Sequence, residues 1–103
     1  MDGDLDFSHD VQDEEIERAC RSLKALSHPI RLKIICILGY EEVSVQDIVE
    51  RIGTSQSNIS QHLAILRDKG ILATRKQANR VMYRIGDRRT LQLFNMMREL
   101  FCK

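Results

Sequence analysis

No run of apolar residues in this 103-residue chain reaches the roughly 18 that a membrane-crossing helix needs. The N-terminus is acidic and lacks the basic-then-apolar order of a secretion signal, so no membrane partner is expected and the expected location is the cytoplasm. Three cysteines, Cys20, Cys36 and Cys102, are an odd number without close pairing. That argues against a secreted disulfide framework and leaves reactive thiols or ordinary buried cysteines as the choices. There is no Cys-x-x-Cys pair, no phosphate-cradling loop and no His/Asp partner for a nucleophile. An enzyme, such as a small thiol oxidoreductase, is therefore disfavoured. The histidines His9, His28 and His62 are too scattered for a credible metal site, and no metal or cofactor is expected. Internal repeats are absent, as is low-complexity sequence beyond the N-terminal tail.

What is present is charge, unevenly placed. Residues 1–20 hold eight acids and one base, whereas residues 21–103 hold fifteen bases and seven acids, so the net charge of +1 conceals a basic body behind an acidic start. Between residues 51 and 84 seven bases face one acid, Asp68. A basic cluster is usually a solvated face; phosphate binding becomes the better reading only where a second signal coincides with it.

Residues 1–12 read as a disordered acidic tail and residues 13–103 as a single domain. From Asp13 an acid-rich first turn opens a helix with an apolar stripe of Ile16, Cys20, Leu23 and Leu26, where Cys20 reads as packing. Ser27-His28-Pro29 ends it, and Pro29 suits the first turn of a second helix that is apolar enough (Leu32, Ile34, Ile35, Ile37, Leu38) to require burial, with Gly39 as its stop. Ser44 caps a third helix with Asp47 three residues on; Val45, Ile48, Val49 and Ile52 form its buried face and Gly53 ends it. Two strands, Ile71 to Lys76 and Val81 to Ile85, flank a turn of Gln77, Ala78 and Asn79, with Asn79 suited to positive φ. Asp87 caps a last helix bearing two apolar stripes: Leu91, Phe94, Met97 and Phe101, then Leu93, Met96 and Leu100. Two stripes exceed what one small core covers, which predicts a two-fold homodimer through the first and last helices.

The second signal is the segment TSQSNISQHLAILRDKG, Thr54 to Gly70. Thr54 or Ser55 caps a helix that Gly70 closes, and the link Gly53 to Gln56 makes it the second member of a helix-turn-helix. Ile59, Leu63 and Leu66 recur at helical spacing toward a core. Gln56, Ser57, Asn58, Ser60, Gln61 and His62 fall in the first two turns, short or amide-bearing enough to meet base edges. An Asn or Gln amide donates and accepts at once, matching adenine in the major groove. Arg67, Lys76 and Arg80 are the nearby cations for phosphate or the minor groove. Alone, such a helix could equally be a solvated one. The coincident basic field favours double-stranded DNA as the partner and disfavours a protein-interaction module that uses the hairpin without DNA.

With LKALSHPIRLKIICIL before the turn, the recognition segment within it and the hairpin after it, the chain from Asp13 to Lys103 closely resembles the ArsR/SmtB family of bacterial winged-helix repressors. The resemblance implies a mainly α winged helix-turn-helix of order α-α-α-α-β-β-α, dimeric on operator DNA and released by an inducer. Two metal patterns of that family are missing. The Cys-x-Cys position holds Val45, Gln46 and Asp47, and the last-helix site would need ligands where Arg88, Arg89, Leu100 and Lys103 stand. Cys36 and Cys102 remain, a pairing similar to that of the family's persulfide- and redox-sensing branch. The resemblance thus implies a thiol switch driven by reactive sulfur species or an oxidant, with a soft-metal or peroxide response as the alternative. Against it, Cys36 lies inside IICIL, where a cysteine is more often a small core residue. Cys102 sits beside Lys103, whose ammonium favours a thiolate. Cys20 has no counterpart in the two-cysteine pattern.

Overall fold

Local hydrogen bonds that the sequence supplies set several of the helix ends, and these ends position the elements between them. The computed structural model describes residues 12–101. In chain order they form α1 (Asp13–Leu26), α2 (Pro29–Leu38), β1 (Val43–Ser44), α3 (Val45–Ile52), α4 (Gln56–Asp68), β2 (Leu72–Gln77), β3 (Arg80–Ile85) and α5 (Arg88–Phe101). The acidic tail expected over residues 1–12 lies outside the described residues except for Gln12, and Cys102 lies outside them too. At the start of α1, Glu15 Oε1 accepts the Gln12 N–H at 2.9 Å. Ser44 and Ser55 cap α3 and α4, each hydroxyl accepting the N–H three residues on at 3.2 Å. Gly70, at φ 77°, lets the Ile71 N–H reach the Leu66 carbonyl and its own N–H reach that of Arg67, a Schellman ending that turns the chain into the hairpin.

The helix-turn-helix of α3 and α4 packs on α2, and the three antiparallel strands, in the order β1-β3-β2, flank it as a wing. Ile34, Ile35 and Leu38 of α2, Ile48 of α3 and Ile59, Leu63 and Leu66 of α4 are almost sealed from solvent. Burial of such side chains stabilises the domain by about 1.5 to 3 kcal/mol each. The result is the winged helix expected, with one strand more than anticipated. β1 has two residues, too few to show any alternation, and exists because Val43 and Ser44 pair with Tyr83 and Met82.

Two local expectations need correction. The hairpin turn has two residues, since Gln77 pairs with Arg80, and the positive φ falls on Ala78 (57°), not Asn79; a loop this tight demands it at the first central position. Cys20 is exposed and packs into no core, because α1 buries only Ala25 and Leu26 near its end. The expected burial of α2 holds, with Ile34, Ile35 and Leu38 sealed and Ile30, Leu32 and Ile37 packed against the same core, while Cys36 stands exposed.

Candidate nucleic-acid interface and thiol positions

On α4 the buried residues Ile59, Leu63 and Leu66 define one face. Gln56, Ser57, Ser60 and Gln61 are exposed and, at 100° per residue, cluster on the opposite side, at the end of the helix where backbone N–H groups are free to meet an anion. Asn58 is half-buried, and its amide nitrogen donates to Thr54 Oγ1 at 3.3 Å, so it is partly engaged in holding the turn. Arg67 is exposed beside Asp68, its Nε 3.9 Å from Oδ1, too loose and solvated to tie up the charge. Lys76 and Arg80 project from the exposed end of the wing.

His62 departs from the expected DNA-facing set. It is 8% exposed, its Nδ1 accepts a hydrogen bond from Arg31 Nε at 3.0 Å, and its ring lies 4.5 Å from that of His28, centroid to centroid. Burial foremost, then the charges of His28 and Arg31, hold its pKa below the ordinary histidine value. The sequence carried the signal: positions 59, 62, 63 and 66 are an i, i+3, i+4, i+7 set, in which the histidine takes a core-facing place.

The basic field is also redistributed. Arg75 is bound to Glu42, Nη2 to Oε1 at 2.6 Å, which holds the Glu42 carboxyl below its usual range through the hydrogen bond from Arg75. One cation of the basic stretch is thereby matched by an acid from outside it. Conversely, Arg21 and Lys24 of α1, Arg31 of α2 and Lys69 after α4 line a groove of about 300 Å³, a cationic surface that no contiguous stretch of sequence reveals.

Cys36 sits one turn beyond Leu32 on α2. Leu32 lines an apolar groove of about 560 Å³ together with Leu23 and Leu26 of α1 and Met97, Leu100 and Phe101 of α5. Leu100 and Phe101 are 70% and 79% exposed. Among the described residues no group of three or more His, Cys, Asp or Glu side chains is placed to hold a metal ion. None of the described helices is long and apolar enough to cross a membrane.

Residues 28–74 match the family described as bacterial regulatory protein, arsR family. The chain is 40% identical over 80 residues to the biofilm growth-associated repressor of Xylella fastidiosa, spanning 78% of this chain and 70% of that protein. It is 38% identical over 81 residues to the transcriptional activator HlyU of Vibrio cholerae, spanning 79% and 75%. The solved structure of reduced HlyU from Vibrio cholerae superposes with a TM-score of 0.81 at 35% identity, covering 88% of this chain and 96% of that one. An exposed polar helix face beside a basic wing, on this fold and with these relatives, identifies the chain as a member of the arsR family of bacterial regulatory proteins, a DNA-binding transcriptional regulator and not an enzyme.

Proposed function

We propose that the protein is a cytoplasmic, homodimeric repressor that reads operator DNA through the start of α4 and releases it when Cys36 and Cys102 are modified by a reactive sulfur species or an oxidant. Gln56, Ser57, Ser60 and Gln61, with Asn58 at the turn, meet base edges; Arg67, Lys76 and Arg80 meet phosphate or the minor groove. A second copy of the chain covers the groove between α1 and α5. Supporting this, Ile16 and Leu23 of α1 and Leu93, Met96, Leu100 and Phe101 of α5 are large apolar side chains exposed in one subunit. The repressor sense follows the Xylella relative's name, although HlyU is named an activator.

The observation that carries the thiol reading is the exposure of Cys36 on the most apolar helix of the protein. A core cysteine would be shielded from any inducer. Its neighbour one turn back, Leu32, shares a groove with Phe101, the residue before Cys102. A relative characterised as reduced HlyU also fits a protein whose thiol state matters. In the proposed chemistry one thiol loses its proton and attacks a polysulfide sulfur. A Cys–S–S bond forms while the shortened polysulfide leaves with the electron pair. The second thiolate attacks the first cysteine's own Sγ, and the bond from that Sγ to the added sulfur breaks, closing a disulfide and expelling the added chain with the electron pair as hydrosulfide or polysulfide. Tying α2 to the end of α5 shifts the dimer helices against the two helix-turn-helix units, whose spacing must match half-sites about 34 Å apart.

The test is an operator titration of wild type and variants, with and without polysulfide, beside peptide mapping and with peroxide and zinc as controls. Cys36→Ser and Cys102→Ser each bind DNA like the reduced wild type yet ignore polysulfide, while Cys20→Ser stays responsive. The expected coupling is about 1 to 3 kcal/mol, or roughly 5- to 150-fold in affinity. A responsive Cys102→Ser protein, or a bridge through Cys20 in place of Cys36, rejects the mechanism. A response to peroxide or metal alone reassigns the inducer.

A further inference from the structure

We propose that Arg31, His62 and His28 form a proton-sensitive strut that fixes the recognition helix against the end of α1, so that proton uptake by His62 loosens the helix and lowers operator affinity. The proposal rests on α4 being the helix that reads DNA.

The geometry is a short relay. Arg31 Nη1 donates to the Ala25 carbonyl, in the last turn of α1, at 3.0 Å, and Nε donates to His62 Nδ1 on α4 at 3.0 Å, so one planar guanidinium spans two helices. His28, at the N-cap of α2, tilts against the His62 ring at 55°, and its own Nδ1 is buried with no hydrogen-bond partner among the described residues. His62 directly follows the exposed Gln61 and directly precedes the fully buried Leu63. A displacement of its ring therefore moves the residues proposed to read bases. Arg31 and His62 are positioning residues in this scheme, since neither is offered as touching DNA.

The proton sensitivity follows from donor counting. A guanidinium cannot accept a hydrogen bond, so the Arg31 contact requires a lone pair on His62 Nδ1 and hence a neutral ring with its proton on Nε2. Protonation at Nδ1 sets N–H against N–H and a positive ring against a positive guanidinium. Among the described residues, the charged groups acting on the ring are Arg31 of α2 and His28 at its N-cap, and no carboxylate joins them. Arg21 and Lys24 of α1 and Lys69 after α4 line the groove that also takes in Arg31, adding to the positive surroundings. With its pKa held below the ordinary histidine value, His62 keeps the strut intact at neutral pH. A loosened helix would free the ring to titrate normally, so the strut weakens as pH falls below about 6.5. Simple electrostatics predicts the opposite, because acidification adds positive charge and strengthens DNA binding. The sign of the pH response is therefore diagnostic.

The experiment combines a tautomer measurement with operator titrations from pH 7.5 to about 5.5 at fixed ionic strength in reductant. Imidazole proton–nitrogen spectra of the wild type at pH 7.5 should show His62 as the Nε2–H tautomer; an Nδ1–H ring overturns the proposal without any DNA. Wild-type operator affinity should fall about 5-fold or more on acidification, the lower end of ordinary coupling. His62→Asn, whose carbonyl can stand where Nδ1 accepts and which does not titrate, should bind like the wild type at pH 7.5 and lack the fall. His28→Asn should retain it. Arg31→Met should weaken binding at pH 7.5 with an unchanged salt slope, whereas a flattened slope would mark Arg31 as a phosphate contact and overturn its role as strut. Wild-type affinity that is flat or rises toward acid, or an equal fall in His62→Asn, would also overturn it. Should His62→Asn fail to fold, the wild-type tautomer and the sign of its pH response still decide. Should the wild type not bind operator at pH 7.5 at all, the DNA-reading assignment fails, and the tautomer measurement continues to test the Arg31–His62 bond.

Discussion

Arg75 and Glu42, 33 positions apart, are joined side by side, with Arg75 Nη2 2.6 Å from Glu42 Oε1 and Nε 2.7 Å from Oε2. The contact exists because β1 pairs with β3 and so brings the segment before it alongside the wing. It links the wing to the segment before β1 and matches one cation of the basic stretch with an acid. Glu42→Gln should therefore release Arg75. The dependence of log affinity on log salt for random DNA should steepen by about 0.9, one further phosphate contact, and non-specific binding should tighten. An unchanged slope would mean that Arg75 points away from DNA even when free.

The two ends of the proposed interface should separate on substitution. Gln61→Ala should lose mainly sequence preference, about 1 to 3 kcal/mol, the scale of a good base contact. Arg80→Ala at the wing tip should weaken operator and random DNA alike and flatten the salt slope by about one. Parallel titrations on the two DNAs check both, and an operator-to-random ratio unchanged in Gln61→Ala would remove that residue from base reading.

Met96 and Leu100 are exposed in the subunit, so changing them should affect association and not folding. Met96→Glu combined with Leu100→Glu should leave helical circular dichroism intact while weakening dimerisation on the order of 100-fold or more, given about 1.5 to 3 kcal/mol for each apolar side chain buried. Sedimentation over a concentration series measures this. A double variant that still sediments as a wild-type dimer would place the interface elsewhere.

Zinc should be silent. With Val45 to Asp47 and Asp87 to Lys103 lacking the family's metal patterns, and no metal-holding cluster among the described residues, submicromolar zinc in reductant should leave operator affinity unchanged. Stoichiometric tight binding coupled to DNA release, seen by calorimetry beside a DNA titration, would reverse this reading.

Helix limits were legible because their causes lie within a few residues: Ser44 with Asp47, Ser55 with Asn58, Pro29 at a first turn, Gly70 past a last one. The core faces of α3 and α4 were legible for the same reason, since polar and apolar residues alternate there at helical spacing. Cys36 was not. In IICIL every neighbour is apolar, periodicity has no contrast, and the exposed side of α2 cannot be told from the buried one until α3, α4 and the strands have packed against it.

Composition, spacing and capping thus determined a basic winged helix-turn-helix with an excess of apolar surface on its first and last helices. Tertiary structure decided which partner each polar group takes within that frame. It set His62 against Arg31 and His28, gave Asn58 a partner in Thr54, paired Arg75 with Glu42 and left Cys36 open. The physical reason is range. Backbone periodicity and caps act over one helical turn, whereas a charge or a hydrogen-bonding side chain takes its role from groups that only the folded chain brings near.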